Sequence, residues 1–268
     1  MKRFKIEVAG HTVLVNAASI YAPAIEQTHR YFLSEGKPEI VIDVIAQKKT
    51  NTKHEVRLMF AKNMLIISDE CSSAFFDCQG HKGTITIDSR DRRWISSLAT
   101  FLRNVFMLQL VVKDRGLLLH AAAILKEEEA FIFAGPSGAG KSTVAKLSTG
   151  KTVLDDEVVA VKEVGNDFFV FPMPSWGTMQ TNARENKPYP IRALYKLIKD
   201  KKVFLESIRP AEALADIFTV PCLPPELVPW ENMTSSFLKL IRRVPYYGLH
   251  FLPEESFWTC IENALAIE

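Results

Sequence analysis

Gly135-Pro136-Ser137-Gly138-Ala139-Gly140-Lys141-Ser142 is the stretch on which the fold turns, and it fits the pattern G-x-x-x-x-G-K-[ST] at every fixed position. Ahead of it, Ala130-Phe131-Ile132-Phe133-Ala134 is a short apolar, aromatic-rich run that reads as a buried strand. Behind it, Thr143-Val144-Ala145-Lys146-Leu147 opens a helical pattern. Strand, loop and helix stand in the order that phosphate binding requires. The glycines let successive backbone N–H groups turn inward, and the positive end of the helix adds to the attraction for phosphate oxygens. The expected nucleotide contacts are Gly135, Pro136, Ser137, Gly138, Ala139, Gly140, Lys141, Ser142 and Thr143. Lys141 would bridge the β- and γ-phosphates of ATP, and the Ser142 hydroxyl would hold Mg²⁺.

Downstream, Gly150 suits the C-terminal cap of a short helix, and Thr152-Val153-Leu154-Asp155-Asp156-Glu157 follows. A helix of about eight residues carries the chain roughly 12 Å away from the phosphates, and a turn and short strand bring it back by a similar distance. The acidic triplet therefore ends level with the loop, at the carboxyl end of its strand, where open α/β sheets place ligands. Side chains alternate along a strand, so Asp155 and Asp156 should have different roles. One would bind Mg²⁺, and the other would face an acceptor hydroxyl or anchor the loop. A solvated turn is the competing reading.

Upstream, Gly116 to Leu125 reads as one apolar strand with His120 in its middle, and Lys126-Glu127-Glu128-Glu129 reads as a turn that returns the chain to the strand before the loop. The sheet carrying the loop should thus be mixed. By itself a lone histidine in an apolar strand is more often a core residue with a backbone partner than a catalytic one.

Residues 1–90 read as a β-rich domain. Short strand-forming runs at residues 4–8, 12–15, 40–45, 55–60, 64–67, 74–76 and 84–87 have turn-like residues between several of them. Few gaps between them are long enough for a helix, so hairpins and meanders are expected in preference to parallel crossovers. No catalytic pattern appears here, and a docking or oligomerisation module, or a scaffold, is the reading. Residues 91–114 carry apolar side chains at near-helical spacing from Trp94 to Leu110, a buried connecting helix. Residues 115–268 form the loop-bearing domain. In it, residues 158–162 and 168–171 make a hairpin, and the proline-rich stretch 172–190 would form an acceptor lip with Arg184 and Lys187 as candidate charges, solvent-facing side chains being an equal alternative for either. Helices are expected at 192–199, 210–218, 232–243 and 253–266, with strands at 203–205 and 246–252. The fold class is α/β (α+β).

Composition narrows the partners. The 268 residues carry 33 Lys and Arg against 31 Asp and Glu, a formal charge of +2, which leaves no broad footprint for nucleic acid or anionic lipid. Cys71, Cys78, Cys222 and Cys260 lack the paired spacing of a zinc site and read as reduced thiols. The run Val105–Val112 is too short to span a bilayer, and the amino-terminal residues read as a strand and not a signal peptide. A cytoplasmic protein with no membrane or nucleic-acid partner is expected. The acidic motif follows Lys141 by only fourteen residues, unlike the long insertion in ATP-binding cassette and mechanical ATPase proteins.

Leu117-Leu118-Leu119-His120, the hairpin into Gly135–Ser142, and Val153-Leu154-Asp155-Asp156-Glu157-Val158 together resemble the C-terminal domain of the HPr kinase/phosphorylase family. They look closer still to HPr-kinase-like proteins encoded beside peptide-modification genes, including those that phosphorylate lasso-peptide precursors. The resemblance spans roughly residues 115 to 180. It implies a fold related to phosphoenolpyruvate carboxykinase, and transfer of the ATP γ-phosphate to a serine hydroxyl of a protein or peptide. Asp156 matches the family's general base, His120 the histidine beside it, and Asp155 the neighbouring acid, taken with Ser142 as metal ligand; Lys141 completes the catalytic set. Two features depart from the family. Thr143-Val144 follow Ser142 where bifunctional members commonly have an acidic residue, and Pro174-Ser175-Trp176-Gly177 stands where their Arg- and Gly-rich second signature would be. Phosphorylase activity and the phosphocarrier substrate are therefore not implied.

The expected function is an ATP- and Mg²⁺-dependent kinase acting on a serine, or similar hydroxyl, of a peptide or small protein, with homo-oligomerisation open. A nucleotide-sensing binding module with slow or no turnover is the alternative from another class, and a small-molecule hydroxyl kinase is a third.

Overall fold

The computed structural model describes residues 1–47, 57–61, 63–174, 185–217 and 230–265. The chain divides into two compact units, Met1–Gln109 and Leu110–Glu268, and the division falls inside a long helix.

In the first unit, strands β1 (Lys2–Val8), β2 (His11–Ala17), β3 (Ile40–Ala46), β4 (Arg57–Ala61), β5 (Met64–Ser68), β6 (Ser72–Asp77) and β7 (Lys82–Ile87) form one sheet in the order β1-β2-β3-β7-β6-β5-β4. Alternation buries Phe4, Ile6, Val13, Val15, Ile40, Ile42, Ile85, Phe76 and Leu65 on one face. The cross-strand row Met59, Ile66 and Phe75 is left exposed on the other. The expectation of hairpins holds for β1–β2 and for the β4–β7 meander. It fails at the centre, where β2–β3 and β3–β7 are parallel. The connection that makes the first crossover contains helix α1 (Ala22–His29), whose pattern was not recognised in the sequence. The expected run at 55–60 is described only from Arg57 onward.

Helix α2 (Trp94–Asp114) is longer than the Val105–Val112 run suggests, and by length and composition alone it would suffice to cross a membrane. Its apolar window is 67% buried, as in a core helix. Part of that cover is the first sheet, since a Cβ at Gly83 would stand 3.2 Å from the ring of Phe101.

The second unit has β8 (Leu117–Leu119), β9 (Ala121–Lys126), β10 (Glu129–Ala134), α3 (Lys141–Leu147), β11 (Thr152–Asp155), β12 (Val159–Val164), β13 (Asp167–Phe171), β14 (Tyr189–Lys199), β15 (Phe204–Ser207), α4 (Pro210–Ile217), α5 (Trp230–Arg243), β16 (Tyr246–Phe251) and α6 (Ser256–Leu265). Its sheet is mixed, as expected. β10 pairs antiparallel with β9 and parallel with β14, and β14 pairs parallel with β16. The eleven-residue β14 belongs to two sub-sheets, because its first residues pair with β13 and the rest with β10 and β16. The helix expected at 192–199 is this strand. Tyr189, Ile191, Ala193, Tyr195 and Leu197 alternate, and the last three join the core. That core packs Phe131, Phe133, Tyr195, Leu249 and Phe251 of the sheet with Val144 of α3 and Phe257, Trp258 and Ile261 of α6. Burying several large aromatic and aliphatic side chains at about 1.5–3 kcal/mol each makes this face the main anchor of the loop.

Candidate active site

Strand β10 is apolar and buried from Ala130 to Ala134, so it ends in a fixed position and delivers Gly135 to the carboxyl edge of the sheet. The loop then bends through Gly138 (φ 79°) and Gly140 (φ 114°), both in the region that favours glycine. At Gly140 space matters as well, because a Cβ would stand 2.6 Å from Cζ of Phe251. At Gly138 a Cβ would meet nothing within 4 Å among the described residues. Helix α3 starts at Lys141, and the first amides of any helix lack intrahelical acceptors. The Lys141 side chain is buried, and Nζ donates to the carbonyls of Gly135 (2.9 Å) and Pro136 (3.0 Å). The lysine thus lies along the loop that it serves.

The acidic segment arrives from the other side. β11 pairs with β9, and its register shifts between Val153 and Asp155, so the strand is irregular where the carboxylates begin. Asp155 Oδ1 accepts from the backbone N–H of Glu157 (2.7 Å) and of Val158 (3.1 Å). This turns the chain out of β11 towards β12 and presents the next two residues to the loop. Asp156 is buried and Glu157 half-buried.

His120 is not in the middle of a strand, as the apolar run 116–125 had suggested. It is the break between β8, which pairs with β12, and β9, which pairs with β10 and β11. A residue at such a corner is freed from both ladders. Burial pushes its pKa below the ordinary histidine value, the nearby Lys141 ammonium pushes the same way, and Glu157 opposes them. The net effect favours the neutral imidazole.

These pieces meet. One cavity of about 460 Å³ is lined by His120, Ser137, Gly138, Gly140, Lys141, Ser142, Thr143, Asp156 and Glu157. Of the other residues expected at the site, Gly135, Pro136 and Ala139 form the loop without lining the cavity, and Asp155 holds the turn behind it. Glu157 was not singled out from the sequence. Its signal was the Asp at 155, which by capping two following amides advances the cavity-facing residues by one position. Lys187 lies elsewhere, paired with Glu128 and Glu185 at 2.7 Å each. Arg184 and most of the expected acceptor lip, with Ser175, Trp176 and Gly177, lie outside the described residues. No group of three or more His, Cys, Asp or Glu side chains suited to a metal occurs among the described residues. A magnesium ion carried by phosphates needs only one or two protein ligands, and Ser142 with the cavity carboxylates meets that need.

Comparisons with known proteins extend these observations. No curated protein matches the sequence. Among solved structures, the HPr(Ser) kinase/phosphatase from Coxiella burnetii aligns over 56% of this chain and 97% of its own, at 14% identity and a TM-score of 0.35, a likeness that carries no argument about fold or activity. A family model described as "ScmC: SynChlorMet cassette protein ScmC" matches residues 85–219, a span that contains every residue lining the cavity and half of the chain. By that match the chain belongs to the ScmC family of SynChlorMet cassette proteins.

Proposed function

We propose that this protein is an ATP- and Mg²⁺-dependent kinase that phosphorylates a serine, or similar hydroxyl, of a peptide or small protein. The observation that carries the reading is the single cavity in which a glycine loop, Lys141 and Ser142 face a buried carboxylate, Asp156, and a neutral imidazole, His120. Phosphoryl transfer depends on positioning and charge neutralisation more than on covalent chemistry, and this cavity has groups for both.

Bound MgATP would supply the transferred group and the metal charge over its phosphates. Backbone N–H groups among residues 137 to 142 would grip phosphate oxygens, Pro136 having none to offer. Lys141 swings from the carbonyls of Gly135 and Pro136 to the phosphates, exchanging two neutral acceptors for charged ones. Ser142 and Glu157, which line the cavity, would hold the metal, and Asp155 keeps the turn in shape. Asp156 accepts the proton of the acceptor hydroxyl as its oxygen bonds to the γ-phosphorus and the bond to the departing ADP oxygen breaks. His120, neutral, orients the hydroxyl without adding positive charge beside Lys141.

Asp156→Asn keeps the shape of the side chain and removes its basicity. Transfer from labelled ATP to a serine-containing peptide should fall by roughly a hundredfold or more, while ATP affinity stays within about threefold. Unchanged turnover would remove Asp156 as the base, and ATP binding without transfer to any peptide by the unaltered protein would make it a nucleotide-sensing module.

A further inference from the structure

The cavity accounts for the reacting end of a nucleoside triphosphate and leaves the nucleoside end unassigned. In the second unit the strands run in the order β11-β9-β10-β14, with β16 beyond β14 and β15 beyond β16. His120 and Asp156 belong to the β9/β11 flank of the loop, so a triphosphate whose γ end faces them must send its sugar and base over the β14/β16 flank.

Something is built on that flank at the right height. β10 ends at Ala134 opposite Lys196, and Lys196 stands opposite Gly248. His250 is two residues further along β16, about 7 Å past the end of β10 and about 10 Å to its side. It is level with the loop, since a Cβ at Gly135 would touch Leu197 (3.7 Å) and Gly140 abuts Phe251. Phe251 faces the core with α3 and α6, and alternation turns its neighbour His250 to the opposite face. There the His250 ring stacks on Phe204 of β15, centroids 4.0 Å apart and planes 12° from parallel. The imidazole is hydrogen-bonded on one side, Nδ1 lying 2.8 Å from Asp200 Oδ2, and Glu206 Oε1 is 3.3 Å from Nε2 without a hydrogen bond to it. Glu206 reaches across because residue 248 is glycine; a Cβ there would stand 2.7 Å from its Cγ. Phe204 is nonetheless 40% exposed.

We propose that the Phe204–His250 stack is the platform for the nucleobase of the bound nucleotide. The base lies on the exposed part of Phe204, and the Asp200 hydrogen bond fixes the His250 ring so that the platform is formed before the ligand arrives. The inference rests on the nucleotide reading above.

Titration calorimetry of the full chain with MgATP and, separately, with magnesium tripolyphosphate distinguishes the two. Phe204→Ala and the gentler Phe204→Leu should weaken MgATP binding roughly fivefold to 150-fold, the range for loss of one base–aromatic stack. Tripolyphosphate affinity should not change, and Phe204→Trp should restore ATP binding. Equal ATP affinity in the folded Leu variant overturns the platform and leaves the nucleotide reading standing. Parallel loss of ATP and tripolyphosphate overturns it too, by making Phe204 a support of the loop. Binding of neither probe by the unaltered protein removes the nucleotide reading, and the platform with it.

Discussion

The two units of this protein use buried polar groups in different ways. In the first, His29 and Asn104 are buried singly and bound to nearby structure, His29 to the carbonyl of Ile25 and Asn104 to that of Thr100, while Ser97 donates to the half-buried Asp69 beside Cys71. In the second, Lys141, Asp155 and Asp156 are buried within fifteen residues of one another in sequence, and two of the three line one cavity. Dispersed polar groups fasten a fold. Charges gathered at one place are costly to bury, and their cost has to be met by packing elsewhere in the same unit, which here is the aromatic face formed with α3 and α6.

The sharpest way to break this contrast is at Gly140, where the loop is braced against that aromatic face. Gly140→Ala meets both a left-handed backbone and the ring of Phe251, and should cost roughly 2–5 kcal/mol together with phosphate binding. Gly138→Ala meets only the backbone penalty and should cost about 1–2 kcal/mol. Equal denaturation midpoints for the two variants would mean that Phe251 does not brace the loop.

Acid should expose the first unit's dependence on one isolated group. His29 is fully buried, Nδ1 donates to Ile25, Nε2 has no hydrogen-bond partner among the described residues, and burial lowers its pKa to about 4. Above pH 6.5 the ring is neutral folded or unfolded, and the stability is intact. As pH falls from 6.5 to 4 the unfolded chain takes up a proton that the folded chain refuses, so about 3 kcal/mol is lost across that window. Thermal melts of the protein and of His29→Leu at pH 7, 5.5 and 4.5 should diverge towards acid, the variant losing less. Parallel curves would show that His29 titrates freely.

How much of this was legible depended on whether a feature is local. The loop is local, since eight consecutive residues encode both its bend and its chemistry, and the β9–β10 hairpin is set by a charged turn between two apolar runs. The parallel pairs β2–β3 and β3–β7 are not, because parallel pairing joins residues through crossovers that no short window contains. The strand at 189–199 misled for another reason: Ala193, Leu194, Tyr195, Leu197 and Ile198 are apolar on both faces of a central strand, which in a short window imitates a helix. His120 could be placed in an apolar run but not at a corner, because the break is made by partners β12 and β10, far apart in sequence.

The smallest expected effect separates adjacent carboxylates with different work. Asp155 caps two amides and stands behind the cavity, whereas Asp156 lines it. Asp155→Ala removes two hydrogen bonds to a charged acceptor, and the turn that they close should loosen at a cost of about 1–3 kcal/mol. Asp155→Asn retains an acceptor oxygen and should recover most of that stability. The corresponding Asn change at 156 should leave stability nearly alone and remove turnover. If instead Asp155→Asn, stable and folded, abolished transfer as completely as Asp156→Asn does, the carboxylate charge at 155 would be acting on the phosphates and the division of labour between the two would fail.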